Sequence, residues 1–328
     1  MLAYKFSLET LERLYVNQVP IKMSNFENFI NDYPFDSEEK LISRLSKYEI
    51  VRIDWGDIEK TIDKFDKESI ETYFEKINAA AKNGSKVIAT LADSGYPEWF
   101  DNMGGWENPE SPPLFDKFVD YVSANLIGLV SNWITFLEPN LKLINKYYDF
   151  EKGTFAAKGK EKGKEKYLKS AANVVRAHIG SYGKIHEAAL NKNIEDANVG
   201  IVLNFGGFYS IKENIITKYF RNSIKSIFLD NFISGMIGGT DFIASKKDSR
   251  SELGRYLDFL GFTYREPYYV DFRASPSDGF NVIRQKKDVI DYIKPKHSNN
   301  SDIDNILIEL YRKYDIPIMA ITKDKTGV

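Results

Sequence analysis

A carboxylate follows an apolar run near the middle of the chain. Residues 133–137 are mostly apolar, and Glu138, Pro139 and Asn140 come directly after them. A buried parallel strand has this pattern when its carboxyl end projects a charged side chain into the mouth of an α/β fold. Glu138 is therefore the first candidate for general acid or base chemistry, which commonly requires a second titratable group nearby.

Apolar runs alternate with helical patterns along the whole chain. The runs predict seven strands, at residues 2–6, 48–55, 85–91, 131–135, 199–204, 256–263 and 316–322. Apolar residues at helical spacing predict helices at residues 36–47, 67–82, 114–130, 167–191, 213–234 and 302–314. Strands that alternate with helices predict a parallel sheet that is either closed into a barrel or wound on both faces.

The fold class predicted from this order is α/β, with a (β/α)8 TIM-barrel-like architecture. The 328 residues contain no Pro/Gly/Ser-rich linker, which favours a single barrel domain over residues 1–328. Seven strands instead of eight leave the barrel incomplete at its last strand. Because open sheet edges must be covered, we expect residues 11–36, self-association or another protein partner to cover the edge between the first and seventh strands.

Two long segments between strands are predicted to be loops. Residues 92–108 are rich in Gly, Pro and Trp, and such loops at strand ends are where barrels carry their sites. Residues 141–166 end in a run of alternating Lys, Gly and Glu at 158–166. The favoured interpretation of this run is a solvated surface, and an anion-binding or partner-docking loop is the alternative.

Charge and composition exclude several functional classes. The 45 Lys and Arg nearly balance the 47 Asp and Glu, so no nucleic acid or anionic membrane partner is expected. There is no cysteine, which excludes disulfides and thiolate chemistry. No stretch approaches the length of a membrane span, and the first 16 residues lack a secretion signal. The default expectation is a cytoplasmic protein, although incorporation into an extracellular or larger assembly stays open.

The three histidines do not predict a metal site. His178, His186 and His297 lack metal-ligand spacing, so neither a metal nor another cofactor is expected. His178 lies in a predicted helix, where a buried histidine with satisfied hydrogen bonds is the favoured interpretation.

Seven short motifs occur in the order found in one known family. In the first part of the chain, residues 54–58 (D-W-G-D-I) resemble E-W-S-R-I, residues 90–99 resemble T-L-x-H-x-x-x-P-x-W, and residues 104–108 (G-G-W-E-N) resemble G-G-W-x-N. In the middle, residues 135–140 (T-F-L-E-P-N) resemble T-x-N-E-P-N, and residues 173–178 resemble N-x-x-x-A-H. Towards the end, residues 257–264 resemble D-x-x-G-x-N-Y-Y, and residues 316–322 resemble the strand before I-T-E-N-G. Together these motifs resemble glycoside hydrolase family 1, particularly its archaeal β-glycosidases, which are TIM barrels.

The resemblance implies a catalytic pair of which one member is replaced. Retaining hydrolysis uses two carboxylates about 5 Å apart, one as acid/base and one as nucleophile. Glu138 matches the acid/base, whereas Lys323 falls at the position of the nucleophile. An ammonium group cannot attack the anomeric carbon as a carboxylate does, and beside Glu138 it would favour the ionised carboxylate over the proton donor.

Several sugar-binding positions of the family also differ. Leu137 stands where the family has an Asn beside the acid/base, and Asp93 stands where it has the His of the third-strand loop. Thr263 and Arg265 replace the Asn and the second Tyr of N-Y-Y. The family's second-strand Arg aligns near Ile50, and Arg52 lies two positions away. The sequence ends before the tryptophan motif of the eighth strand. The positions at which the resemblance still implies sugar contacts are Trp99, Trp106, Asn140, Tyr264 and Arg265.

Two hypotheses follow. The favoured one is a degenerate, non-catalytic glycosidase barrel that serves as a structural, interaction or glycan-binding protein, because scaffold residues remain where polar site residues are replaced. The alternative is an active glycoside hydrolase with Glu138 as general acid and Asp93 as base of an inverting pair. Under the favoured hypothesis, Asp93 caps loop amides and Glu138 forms a salt bridge with Lys323 or Arg265.

Overall fold

The computed structural model describes residues 2–6, 47–130, 132–152, 155–159, 161–205, 208–210, 214–238, 254–264, 268–271, 281–283, 310, 314 and 316–322. Strands in this part of the chain are β1 (Leu2–Phe6), β2 (Lys47–Arg52), β3 (Lys86–Ala92), β4 (Asn132–Leu137), β5 (Asn198–Phe205), β6 (Phe208–Ser210), β7 (Phe259–Tyr264), β8 (Tyr268–Asp271), β9 (Asn281–Ile283) and β10 (Ile318–Thr322). Their pairing defines one closed barrel and one small sheet.

The helices lie between the strands. They are α1 (Trp55–Ile58), α2 (Lys67–Lys82), α3 (Glu98–Asn102), α4 (Ser111–Leu126), α5 (Pro139–Tyr147), α6 (Glu161–Asn191), α7 (Ile215–Lys225) and α8 (Asn231–Gly238). Short 3-10 helices cover Gly105–Glu107 and Phe150–Lys152, and a π-helical turn, Ser226–Asp230, joins α7 to α8. In the described ranges, no helix combines the length and apolar character needed to cross a membrane.

Seven strands close the barrel in the order β1-β10-β7-β5-β4-β3-β2. The fold is TIM-barrel-like, and it has one strand fewer than the eight of a complete (β/α)8 barrel. The strands β2, β3, β4, β5, β7 and β10 run parallel, so their carboxyl ends meet at one end of the barrel, here termed the barrel mouth. The seven strands predicted from the sequence are the seven strands of this barrel.

The edge predicted to be open is closed by β1. This strand pairs in antiparallel orientation with β10 on one side, from Leu2 opposite Thr322, and with β2 on the other. The prediction of an exposed edge was wrong, because an antiparallel strand can satisfy the backbone groups of both neighbours. The closed edge removes the argument that a protein partner or self-association must cover it. Both stay predictions. Residues 11–36 lie outside the described residues.

The predicted loop at residues 141–166 was also wrong. Helix α5 begins directly after Glu138, with Pro139 at its first position, and α6 begins at Glu161. Proline is favoured at the first position of a helix, and Lys and Glu have good helix propensity. The charged run therefore forms the first turns of α6, and Lys166 there pairs with Glu107 at 3.0 Å. At another boundary, Trp55 starts α1 instead of ending β2.

The barrel interior is filled by large side chains opposite glycines. A buried cluster inside the barrel consists of Ile88, Ile134, Leu137, Val202, Phe259 and Met319. A Cβ atom at Gly200 would lie 2.5 Å from the ring of Phe259, and one at Gly261 would lie 2.6 Å from Cγ2 of Val202. Both positions therefore require glycine, since the alternation of large and small residues fits the barrel taper.

Helices α4 and α6 pack against each other outside the barrel. Their contact includes Asp116 of α4, whose carboxylate lies against the backbone of Gly180, where a Cβ atom would be 2.3 Å from Oδ1. This Oδ1 is buried and has no hydrogen-bond partner among the described residues. Burial raises the pKa of Asp116 to about 6, although the charge of Lys184 opposes the shift.

Replacement of Asp116 by a neutral residue should stabilise the fold by an amount that depends on pH. Because its pKa in the folded state is above the unfolded value, ionisation destabilises the fold as pH rises from about 4 to about 6. Asp116→Asn should therefore raise the free energy of unfolding by roughly 1–2 kcal/mol at pH 7.5, after allowance for partial solvent exposure, and by little at pH 3.5. Urea unfolding at both pH values measures the difference. Asp120→Asn, an exposed carboxylate on the same helix, should leave the unfolding free energy unchanged; an equal gain there would contradict the assignment.

Candidate active site

Glu138 lies at the turn between β4 and α5. Its backbone has φ 52° and ψ 40°, the left-handed conformation, which costs a residue other than glycine about 1–2 kcal/mol. The backbone N–H of Glu138 donates to the carbonyl of Val202 at 2.8 Å, and its carbonyl accepts from the N–H of Lys142 at 3.1 Å. These bonds to β5 and α5 fix the turn and aim the carboxylate at the barrel mouth.

The carboxylate of Glu138 is held by two polar side chains from neighbouring strands. Oε1 accepts from Nδ2 of Asn204 at 3.0 Å and from the hydroxyl of Thr263. Asn204 and Thr263 are register partners in β5 and β7, and Nδ2 of Asn204 also lies 3.2 Å from Oγ1 of Thr263. Thr263, which replaces the family's Asn, therefore contacts the carboxylate directly.

Asn140 is a structural link between two strand ends. It is fully buried, its Nδ2 donates to the carbonyl of Asn204 at 2.9 Å, and its Oδ1 accepts from the N–H of Asn204 at 3.0 Å. These reciprocal bonds use the side-chain amide on the backbone of β5. The structure thus gives Asn140 a structural role, and the sugar contact implied for it is not supported by this geometry.

Asp93 follows β3 and is bound by two cations. Oδ2 pairs with Nε of Arg52 at 3.1 Å, and Oδ1 pairs with Nζ of Lys142 at 2.5 Å. Lys142 also donates to the backbone carbonyl of Asp93. The carboxylate does not cap loop amides as anticipated; instead it ties the ends of β2 and β3 to α5. Both oxygens of Asp93 are therefore bound to cations of the scaffold, an arrangement that gives the carboxylate a structural role.

The two candidate carboxylates are joined through Lys142. This residue bonds to the carbonyl of Glu138 through its backbone and to Asp93 through its side chain. A continuous series of polar contacts, here termed the mouth belt, therefore runs around the barrel mouth. Its members are Arg52, Asp93, Lys142, Glu138, Asn140, Asn204 and Thr263.

Removal of the Asp93 charge should destabilise the protein. In Asp93→Asn, Arg52 and Lys142 would lose their shared counterion while remaining close together. We expect the free energy of unfolding to fall by about 1 kcal/mol, a modest value because the two cationic side chains are 48% and 40% exposed.

Denaturant unfolding at neutral pH and low salt measures this loss. The control is Asp63→Asn, which removes an exposed ion pair with Lys117 outside the mouth belt and should leave stability close to wild type. Equal losses for Asp93→Asn and Asp63→Asn would show that the mouth belt contributes no specific stabilisation.

The tryptophans implied as sugar contacts belong to an aromatic cluster. Trp106 is 6% exposed, and its ring lies 5.2 Å from that of Phe136 and 5.6 Å from that of Phe115. Trp99 is half-buried, packs edge-on against Trp55 at 5.4 Å, and donates from Nε1 to the carbonyl of Glu59. Sugar stacking needs an open ring face, so Trp106 has a packing role in this structure.

Glu59 is a buried carboxylate that anchors this cluster. Its Oε2 accepts from Nε1 of Trp55 at 2.7 Å, and its Oε1 accepts from the backbone N–H of Asp63 at 2.6 Å. Burial raises the pKa of the Glu59 carboxyl, and the two hydrogen bonds oppose this shift. Since both oxygens bind the scaffold, Glu59 acts as a packing residue, and sequence reasoning did not single it out.

His178 and His186, both on α6, hold this helix against the barrel. His178 is fully buried between the hydroxyl of Thr135, 2.7 Å from Nδ1, and the carbonyl of Tyr256, 2.6 Å from Nε2. A carbonyl can only accept, so Nε2 carries the proton. Burial lowers the pKa of His178 to about 4, although the bond to Tyr256 opposes the shift. The sequence-based interpretation of His178 as a satisfied core residue is confirmed.

Asp258 is bound in a similar way. Its carboxylate accepts from the hydroxyl of Tyr182, from Nε2 of His186 and from the N–H of Val199. Burial alone would raise its pKa, but these contacts outweigh burial and the pKa of Asp258 is lowered. Among the described residues, no group of three or more His, Cys, Asp or Glu side chains could hold a metal ion.

Three residues named from the sequence lie beyond this description. Lys323 and Arg265 are outside the described residues, and only the backbone of Tyr264, at the end of β7, is described. Their roles therefore stay predictions.

Sequence reasoning missed Asn204 and Lys142 as members of the site. Asn204 could have been recognised from its position, because it is a polar residue at the end of the apolar run 199–204. Lys142 stands one helical turn after Glu138, but its contact with Asp93 depends on the relative position of β3 and β4, which local sequence does not specify.

The described geometry is that of a glycosidase-type TIM barrel with a carboxylate at the end of β4. Solved structures with this fold include a β-glucosidase from Thermotoga maritima, with a TM-score of 0.66, 19% identity and coverage of 82% of this chain and 61% of that chain. A β-glycosidase from Pyrococcus horikoshii has a TM-score of 0.65, 20% identity and coverage of 83% and 60%. At these identities the likeness shows the fold alone.

The sequence comparison establishes the family. The family model described as glycosyl hydrolase family 1 matches residues 52–304, well over half of the chain. The chain therefore belongs to glycosyl hydrolase family 1.

Curated relatives match shorter segments. Lactase/phlorizin hydrolase of Rattus norvegicus is 30% identical over 116 residues, which are 35% of this chain and 6% of that protein. Galactolipid galactosyltransferase SFR2, chloroplastic, of Arabidopsis thaliana is 32% identical over 74 residues, or 23% of this chain and 12% of that protein. The chain thus spans about 60% of the solved structures and a small fraction of these relatives.

Proposed function

We propose that this chain is a non-catalytic glycosidase barrel that acts by binding, as an interaction or glycan-binding protein, and does not hydrolyse glycosides. The observation that carries the proposal is the state of Asp93: both of its oxygens are in ion pairs, with Arg52 and Lys142. Asp93, the candidate second carboxylate, is thus bound to the scaffold. The resemblance places Lys323 at the position of the family's nucleophile, and an ammonium group cannot replace a carboxylate in attack on the anomeric carbon.

The hydrogen bonds around Glu138 support the same conclusion. Oε1 of Glu138 accepts bonds from Asn204 and Thr263, so this oxygen contacts the scaffold, as expected of a carboxylate with a structural role. Asn140 and Trp106, implied to bind sugar, are buried in scaffold contacts. Family membership alone does not imply hydrolysis, since one matched relative is named a galactosyltransferase.

A rate assay on aryl β-glycosides across pH tests the proposal. We expect no turnover above the uncatalysed rate for the wild type, and no change in Glu138→Gln or Asp93→Asn, because both carboxylates are bound to groups of the scaffold. Glu98→Gln, an exposed carboxylate of α3, is the matched control against contaminating activity.

A defined pattern of activity among the variants would contradict the proposed lack of hydrolysis. Turnover that persists in Glu98→Gln and disappears in Glu138→Gln would establish an active hydrolase. Loss in Asp93→Asn as well would identify the inverting pair of the alternative hypothesis. Calorimetric titration with oligosaccharides then separates the two non-catalytic roles, since binding supports a glycan receptor and its absence leaves the interaction role.

A further inference from the structure

Helix α7 presents apolar side chains to solvent. Ile215 is 89% exposed, Ile216 is 52% exposed and Tyr219 is 67% exposed, while Thr217 and Ile224 on the opposite side are buried. Helical spacing places Ile215 and Tyr219 one turn apart on the same face, with Ile216 beside them. This exposed face, termed the α7 face, consists of Ile215, Ile216 and Tyr219.

The charged residues of α7 are all basic. Lys218 is exposed, Arg221 and Lys225 are half-buried, and the eleven residues of the helix include no Asp or Glu. The helix is anchored at its start, where Oδ1 of Asn214 accepts from the N–H of Thr217 at 2.8 Å. It packs on β6 and β8 of the small sheet. The α7 face is therefore held on the folded domain, with the exposed cation Lys218 beside it.

The overall charge balance gave no reason to expect an anionic membrane partner, but it does not describe the local surface of α7. We propose that α7 docks on the surface of an anionic lipid bilayer. An amphipathic helix with apolar and aromatic residues on one face and cations beside them lies in the plane of the membrane interface, where its apolar side chains enter the acyl boundary. Tyrosine suits this depth because its ring is apolar and its hydroxyl is polar. Lys218 complements the charge of anionic headgroups.

The size of the α7 face favours a bilayer over a protein partner. A stable protein interface employs roughly 20–30 residues on each side. Three apolar side chains provide far less, so a second copy of the chain would gain too little from this contact. Insertion into lipid needs no complementary surface, because each side chain gains free energy from its own transfer out of water.

Flotation with lipid vesicles tests the proposal on the full chain. The probes are phosphatidylcholine vesicles with and without phosphatidylglycerol. We expect the wild type to float with the anionic vesicles, and the double substitution Ile215→Ser with Tyr219→Ser to lower the bound fraction at least about tenfold. Lys218→Glu should lower binding to anionic vesicles, and added salt should weaken it for the wild type.

Leu190→Ser provides the matched control. Leu190 is 76% exposed near the end of α6, so this variant removes an exposed apolar side chain elsewhere on the surface and should float like the wild type. Circular dichroism checks that every variant is folded. Failure of the wild type to float, equal loss in Leu190→Ser, or self-association abolished by the double substitution without any vesicle binding would overturn the proposal. None of these outcomes depends on glycoside hydrolysis.

Discussion

The barrel mouth depends on the pair of hydrogen bonds between Asn140 and the backbone of Asn204. The register of β4 on β5 shifts between Ile134 and Leu137, so the ladder is interrupted before it resumes at Leu137 opposite Val202. Asn140 continues the link from the start of α5, with both partners fully buried. Unpaired backbone groups at this depth would cost about 1–3 kcal/mol each. Because the backbone of Asn204 is fixed in this way, its side chain can hold Glu138 in a left-handed turn.

Under the proposed non-catalytic function, the same interactions would let the family scaffold persist without its chemistry. A catalytic carboxylate must exchange protons or bonds with substrate, whereas each carboxylate of the mouth belt binds groups of the protein itself. The resemblance implies that Asp93 and Thr263 stand where the family has His and Asn; here Asp93 bridges Arg52 and Lys142, and Thr263 donates to Glu138. We interpret the T-F-L-E-P-N turn as a structural element of the barrel, at which three strand ends meet.

The sequence predicted the strands well and the contacts between distant strands poorly. Buried strands are encoded locally as apolar runs, so residues 199–204 were recognised within β5. The closure by β1 was not, because its pairing with β10 joins residues from opposite ends of the chain. Asn204 and Thr263 meet only through the register of β5 on β7. The helix α5 was missed because residues 141–166 were predicted to form a loop, although Pro139 fits the first turn of a helix.

The stability of Glu138→Gln tests the central claim most directly. Catalytic groups are commonly held at a cost in stability, so their replacement often stabilises an enzyme. If Glu138 is instead a structural member of the mouth belt, the neutral amide will accept weaker bonds from Asn204 and Thr263. The account predicts that the free energy of unfolding in urea at neutral pH falls by about 1 kcal/mol. An increase in that free energy would contradict it.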